Sequence, residues 1–492
     1  YFRVIEIEEQ SLGPDHPELT ISLSNRAIAL LAQGKLEEAD ALCLRAVGIQ
    51  EKALGPDHPG LALSLGNRAS ALQAQGKYDE ADAPYLRIVG IQEKALGPDH
   101  PELATSLSGR ASVLQAQGKL EEAGAMYQRA IGVQEKALGP DHPQLAAVLG
   151  SRASALQEQG KLEEADALYL RAIRIQEKAL GPDHSDLASS LSNRANVLQA
   201  QGKYDEADAL YLGAIGIYEK ALGPDHSWLA TSLNNRADVL RAQGKLEEAD
   251  ALYLKAIGIQ EKAVGPDHPE LATSLGNRAE VLNKQGKLEE ADALYLRAVG
   301  IQEKALGPDN PKVAIFLGSR ANVMRDQGKL KEADALFLRA IGGLEKTLGP
   351  DHPELAISLF NWALVLLAKG KLEEADALLL RAVGIDEKAL GHDHPELAVS
   401  LVSRAKVLQA QGKLEEADTL YLRAIGIQEK ALGPNHPKVA ILLSNRANVP
   451  RDQGNYDEAR SLLKRALAIR RAKLGEEHEE TIKTLRALKG LD

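Results

Sequence analysis

Cysteine occurs once in 492 residues, at Cys43, so no internal disulfide can close and no thiol cluster exists to hold zinc or a redox centre. A reducing, cytoplasmic setting is the expectation. Aromatic residues are almost as scarce, twelve Tyr, four Phe and two Trp, while Ala, Leu, Gly, Glu and Lys crowd the chain. That balance excludes the thick core of a large α/β or all-β enzyme and favours thin layers of helices packed through small residues. The longest apolar run, Trp362 to Ala368, is seven residues, far below the roughly 18 to 20 that a spanning helix needs. Neither sign of charge is blocked: 59 basic and 70 acidic residues, net −11, are spread throughout, leaving no basic footprint for nucleic acid or an anionic membrane. The only methionines are Met126 and Met324, and Tyr1 falls in the middle of a helical pattern, so the native N-terminus is expected upstream.

Catalytic signatures are missing as well. The chain has no GxxxxGK[ST] loop, no GxGxxG after a strand, no GxSxG elbow and no HExxH. Histidines recur one per repeat in a DHP context, too far apart to converge on one metal, and the local pair His392 and His394 reads as a drifted turn. Cys43 lies on a helix face with no histidine patterned beside it, as expected for a buried thiol. The sequence therefore predicts a non-enzymatic chain without cofactor or metal.

A repeat is present instead. LGPDHP begins at Leu12, Leu54, Leu96 and Leu138, and variants continue every 42 residues to Leu474. Eleven units fill residues 12–473, between an eleven-residue leader that aligns with the latter half of a second helix and a segment at 474–492 read as a polar C-terminal capping helix. In each unit the spacing predicts a helix A beginning near Asp15, taken as the N-cap with Glu18 as its capping-box partner, and ending at Gly34. Helix B then runs from about Leu36 to Leu54, where Gly55-Pro56 stops it. So short a connection makes A and B antiparallel neighbours that bury their apolar stripes by stacking on the next pair. The alanine columns Ala27 to Ala447 and Ala39 to Ala459 are invariant among the eleven units, as close packing requires.

The QGKLEEADALYLRAI segment, with glycine in the turn and alanines five and twelve residues later, resembles the tetratricopeptide repeat. The 42-residue period with LGPDHPELA is similar to the long variant of kinesin light chain and nephrocystin-type proteins. The resemblance covers essentially the whole chain and implies an all-α, right-handed solenoid superhelix that binds protein or peptide segments in the concave groove lined by helix A, as a scaffold or cargo adaptor. Two other readings stay open: the sensor arm of a larger NTPase-type switch whose nucleotide-binding part lies upstream, and a structural solenoid. For the last, the chain is either a monomer or weakly self-associating head to tail through its N-terminal half-repeat.

Three departures from pattern carry expectations. An arginine column, Arg26, Arg68, Arg110, Arg152, Arg194, Arg236, Arg278, Arg320, Arg404 and Arg446, broken only by Trp362, is read either as bonded to neighbouring carboxylates of the Asp40 or Glu51 columns or as a track for an acidic partner. Glycines of the Gly48 column interrupt helix B, with close helix crossing as the expected compensation. Pro84 and Pro450 sit inside predicted helices, where kinks and not breaks are expected.

By the resemblance, the groove comprises the Ile21, Ser24, Asn25, Ile28, Leu31 and Ala32 columns. Asn193, Asn235, Asn277 and Asn361 resemble groove asparagines that hold a peptide backbone, since an amide donates and accepts at once; bonding within the solenoid is the competing reading. The lysines of a carboxylate clamp are missing from the Ser24 and Ile21 columns. Between 306 and 402 the groove columns turn apolar, at Ile315, Ile357, Phe360, Leu364, Leu367, Val399 and Val402, with Phe316, Phe337 and Trp362 nearby. A patch of this kind is expected to be the peptide site, with repacking around Trp362 as the alternative. Trp228 is read as a weaker edge contact.

Overall fold

The computed structural model describes residues 2–491 and divides after Glu248 into two compact units. Every regular element among the described residues is an α-helix, alternating between a shorter A and a longer B. Pro101–Ala116 followed by Leu120–Leu138 is typical.

The capping chemistry differs from the sequence expectation. Histidine, not the Asp15 column, caps helix A: His100 is extended (φ −75°, ψ 134°) and its Nδ1 accepts the Glu102 amide N–H, with Pro101 in the first turn where no amide is needed. Glu102 enters this bond through its backbone. In one repeat Asn310 takes the same place and its Oδ1 accepts the Lys312 amide at 3.0 Å. The displaced aspartates bond instead to the end of helix B, as Asp141 does to Lys178 at 2.6 Å and Asp351 to Lys388 at 2.9 Å. Helix A ends as expected at a left-handed glycine. Gly118 has φ +76°, and the next amide, of Lys119, reaches back to the Leu114 carbonyl at 2.9 Å.

Within each unit, pairs stack through the invariant alanines. Ala111, Ala123 and Ala130 are fully buried, and Tyr127 fills the space beside them. Phe337 and Leu379 occupy the tyrosine column in their repeats and are likewise core residues. Cys43 belongs to this column too; burial pushes its thiol up to about 11.

The arginine column is structural. From Arg68 onward the guanidiniums reach back 28 residues to the aspartate of the preceding helix B, as in Arg110 to Asp82 at 2.8 Å, Arg194 to Asp166 at 2.7 Å, Arg278 to Asp250 at 2.7 Å and Arg404 to Asp376 at 2.8 Å, whereas Arg26 lies over the Phe2 ring, 4.6 Å from its centroid. Where Gly124 replaces the aspartate, Arg152 donates to the glycine carbonyl. The Glu51 column serves a different arginine, as in Arg171 to Glu135 at 2.7 Å. The pairs are largely shielded from solvent, so each clamps one repeat to the next.

Two expectations are overturned. A Cβ added at Gly48, Gly90, Gly132, Gly258, Gly300, Gly342, Gly384 or Gly426 would meet nothing within 4 Å, so no crossing helix explains a residue that costs about 1 kcal/mol relative to alanine. At Pro84 the helix is unbroken, as expected, over Tyr78–Leu96. Pro450 does more than kink its helix, because the ladder is interrupted at Ala447 and separates Pro437–Arg446 from Asn448–Asp452. Proline lacks the amide that would bond four residues back.

Candidate functional site: the open face of helix A

Helix A buries its leucine and alanine stripe and leaves the opposite face open. On that face the apolar positions separate into three groups. Ile315, Ile357 and Val399 are exposed, Phe360, Leu364 and Leu367 are half-buried, and Val402 is buried. Phe360 and Leu367 pack on the cluster around Ala363, Leu366 and Leu379, beside Trp362. Phe316 is also committed to packing, since its ring occupies the space above Gly276, where a Cβ would lie 2.4 Å from it.

Trp362 stands in the arginine column and keeps the column's bond, its Nε1 donating to Asp334 at 2.6 Å. The missing charge comes from Lys369, whose Nζ reaches the other Asp334 oxygen at 2.6 Å, from a column that is otherwise glutamine. Burial alone would raise the Asp334 carboxyl, but the bonds from Lys369 and Trp362 outweigh it and hold the group below its ordinary value.

The second unit's apolar cavity lies farther along than the sequence patch. A groove of about 380 Å³ opens between Leu397–Ala410 and Pro437–Arg446, lined by Val399, Val402, Lys406, Ile441, Leu442 and Asn445. Val399 and Val402 therefore belong to it, while Ile315, Ile357, Phe360, Leu364 and Leu367 do not. Its floor is Gln428 of helix B, which donates to the Pro395 carbonyl at 2.8 Å and leaves Oε1 buried without a partner.

The first unit carries a groove in the same register with opposite chemistry. Some 780 Å³ is bounded by Ala147, Gly150, Ser151, Ser189, Asn193 and Asn196, over Gln176. Its Oε1 is again buried and unpartnered. Small residues on one wall make the width, and hydroxyls and amides line it. The glutamine column escaped the sequence reading because a polar residue on helix B shows nothing of the helix A cleft above it, whereas Ile441 falls in the Ile21 column that the reading placed in the groove.

Asn193 is exposed, and Asn235, Asn277 and Asn361 are half-buried. Among the described residues none of the four makes a side-chain hydrogen bond within its unit. Trp228 is half exposed and meets Tyr218 at a tilt and His226 edge to face, with ring centroids 6.0 and 5.3 Å apart. At the turn of the sequence's histidine pair, Asp393 bonds to Lys430, and His392 lies 3.8 Å from Glu387. No helix among the described residues is long and apolar enough to cross a membrane.

The tetratricopeptide repeat profile matches at residues 18–94, 102–178, 144–211, 186–262, 229–304, 270–346, 312–388, 354–430, 396–472 and 438–491. No curated protein matches. Among solved structures, a kinesin light chain of Podosopora anserina with nearly identical TPR-like repeats is 32% identical over 42% of this chain and 97% of that one, with a TM-score of 0.38. BtubC from P. vanneervenii is 19% identical over 47% of this chain and 92% of that one, with a TM-score of 0.43.

Proposed function

The chain belongs to the tetratricopeptide repeat family, whose repeats mediate protein–protein interaction, and on that premise we propose that it is a scaffold or cargo adaptor that holds extended polypeptide segments along the open face of helix A. The observation that supports this reading most directly is the set of unbonded amides at Asn193, Asn235, Asn277 and Asn361. A side-chain amide is matched to a peptide unit, donating to its carbonyl and accepting from its N–H. The buried Oε1 atoms of Gln176 and Gln428 add acceptors that gain from a bound donor.

Side-chain selectivity follows from the two grooves. The one at 399–445 takes an apolar side chain against Val399, Val402, Ile441 and Leu442, while that around Asn193 and Ser189 suits a polar one. Ile315, Ile357, Phe360, Leu364 and Leu367 contribute an apolar approach in the neighbouring repeats of the second unit.

A peptide library screened by fluorescence anisotropy tests the proposal, with the Val399→Ser, Ile441→Ser double variant and the Asn277→Ala, Asn361→Ala double variant compared with the parent. Binding that both folded variants weaken at least tenfold supports it. Failure of the parent to bind any peptide tighter than about 1 mM refutes it.

A further inference from the structure

The exposed side of helix B carries a pattern that neither the core nor the groove uses. In the second unit Leu254, Leu296, Leu338, Leu380 and Leu422 recur in five successive repeats, each between 48% and 61% exposed. An unbroken apolar row of this kind on a charged surface is unusual for an isolated protein. Beside each leucine stand a small residue three positions earlier and a glycine four positions later, as Ala293 and Gly300 flank Leu296. Those glycines face open space, so whatever makes them useful lies outside the chain's own helices.

The stripe is self-complementary. Glu289, Ala293, Leu296, Gly300 and Lys304 follow at spacings of four, three, four and four, which keeps them on one helical face, and all five are exposed. Ala293 and Gly300 are equidistant from the midpoint between Leu296 and Arg297, and so are Glu289 and Lys304. Laid antiparallel on an identical helix, the stripe therefore sets glutamate against lysine at both ends, where the lysine also bonds an aspartate of its own chain, as Lys304 does to Asp267 at 2.5 Å, with alanine against glycine inside them and leucine beside leucine at the centre. The same holds for Glu247 and Lys262, Glu373 and Lys388, and Glu415 and Lys430; Lys331 is the exception. Only a partner with the same 42-residue spacing meets all these rows together.

We propose that helices B of the second unit form a two-fold interface with a second copy of this chain, the leucines of one copy seated over the Ala/Gly gaps of the other. An isologous contact of this kind closes at a dimer, unlike head-to-tail docking, which keeps adding copies. It leaves the open face of helix A available on both copies, so two linked grooves would gain avidity for a bivalent partner.

Light scattering and sedimentation equilibrium on the full chain, from about 1 to about 100 µM, bracket the affinity of a modest interface. The expected result is a concentration-dependent mass that stops at twice the chain mass. Leu296→Glu with Leu338→Glu should give a monomer with an unchanged circular dichroism spectrum, because these side chains are exposed. Glu289→Lys with Glu373→Lys, which sets lysine against lysine, should weaken the dimer at least tenfold at low salt, with partial recovery in high salt. A parent chain that is monomeric throughout, a mass that grows past two copies, or a folded leucine variant that dimerises like the parent would each overturn the proposal.

Discussion

Trp362 and Lys369 together replace one arginine. The indole N–H and the ammonium each lie 2.6 Å from a different oxygen of Asp334, so the helix junction keeps its hydrogen bond and its charge in two side chains where the other repeats use one. Trp362 also packs against the clusters around Phe337 and Leu379, so this substitution gains apolar contact that a guanidinium lacks.

Lys369→Gln is accordingly expected to destabilise the protein by about 1.5 to 3 kcal/mol, the scale of a hydrogen bond to a charged group. Adding Trp362→Arg should recover most of the loss. Urea unfolding of the two single variants and the double variant measures the coupling; additive changes would show that the residues act separately.

Asp334 gives this junction an acid dependence. Its carboxyl lies below its ordinary value in the folded protein, so the stability it contributes is present above the unfolded value of about 3.9 and is lost as pH falls through the folded value. The gap in urea midpoint between the parent and Asp334→Asn should be widest near neutral pH and shrink below about pH 4. A gap that is constant with pH contradicts the assignment.

The Arg–Asp clamps predict a separation of stability from binding. Arg320 bonds Asp292 at 2.6 Å with both side chains about four-fifths shielded. Arg320→Ala strands the carboxylate at a helix junction and should cost about 2 to 3 kcal/mol, with peptide affinity unchanged at temperatures where the variant is folded. A loss of affinity without a loss of stability would return the column to the role of an acidic-partner track.

Histidine capping is testable at His352, whose ring accepts the Glu354 amide at 3.2 Å. His352→Asn should be close to neutral, because Asn310 makes the same bond in the neighbouring repeat. His352→Ala should cost about 1 kcal/mol. Equal effects of the two changes, read from thermal unfolding, would show that the cap contributes nothing.

Cys43 is fully enclosed and its thiol is pushed up to about 11 by burial, with Asp40 adding to the shift. Little thiolate exists at pH 8, and a disulfide reagent should label Cys43 only after denaturation. Rapid labelling of the native chain would mean that the first repeats open locally.

Helix existence, pairing and the stacked-layer fold were all legible from one 42-residue string, because alanine columns, a left-handed turn glycine and a Gly-Pro stop act locally. The capping residue was not: in most repeats an aspartate and a histidine are adjacent and both able to accept, as at Asp99 and His100, and only the extended backbone at the histidine with proline after it decides which one does. The apolar stretch from Ile315 to Val402 was legible as composition, but its division into exposed, half-buried and buried side chains depends on neighbours 42 residues away. Phe316 and Phe337 show this most clearly, since the same residue type that looked like a surface anchor is used as filler above Gly276 and in the tyrosine column.

By itself, the sequence determined the repeat, the helix boundaries to within a few residues and the absence of known catalytic motifs, since these follow from local spacing and residue type. Only the tertiary structure decided the pairing of each arginine, the open space around the Gly48 column and the position of the grooves. A helix B aspartate meets an arginine 28 residues later only when consecutive pairs stack, and a cavity exists only where two walls from different repeats fail to fill the space between them.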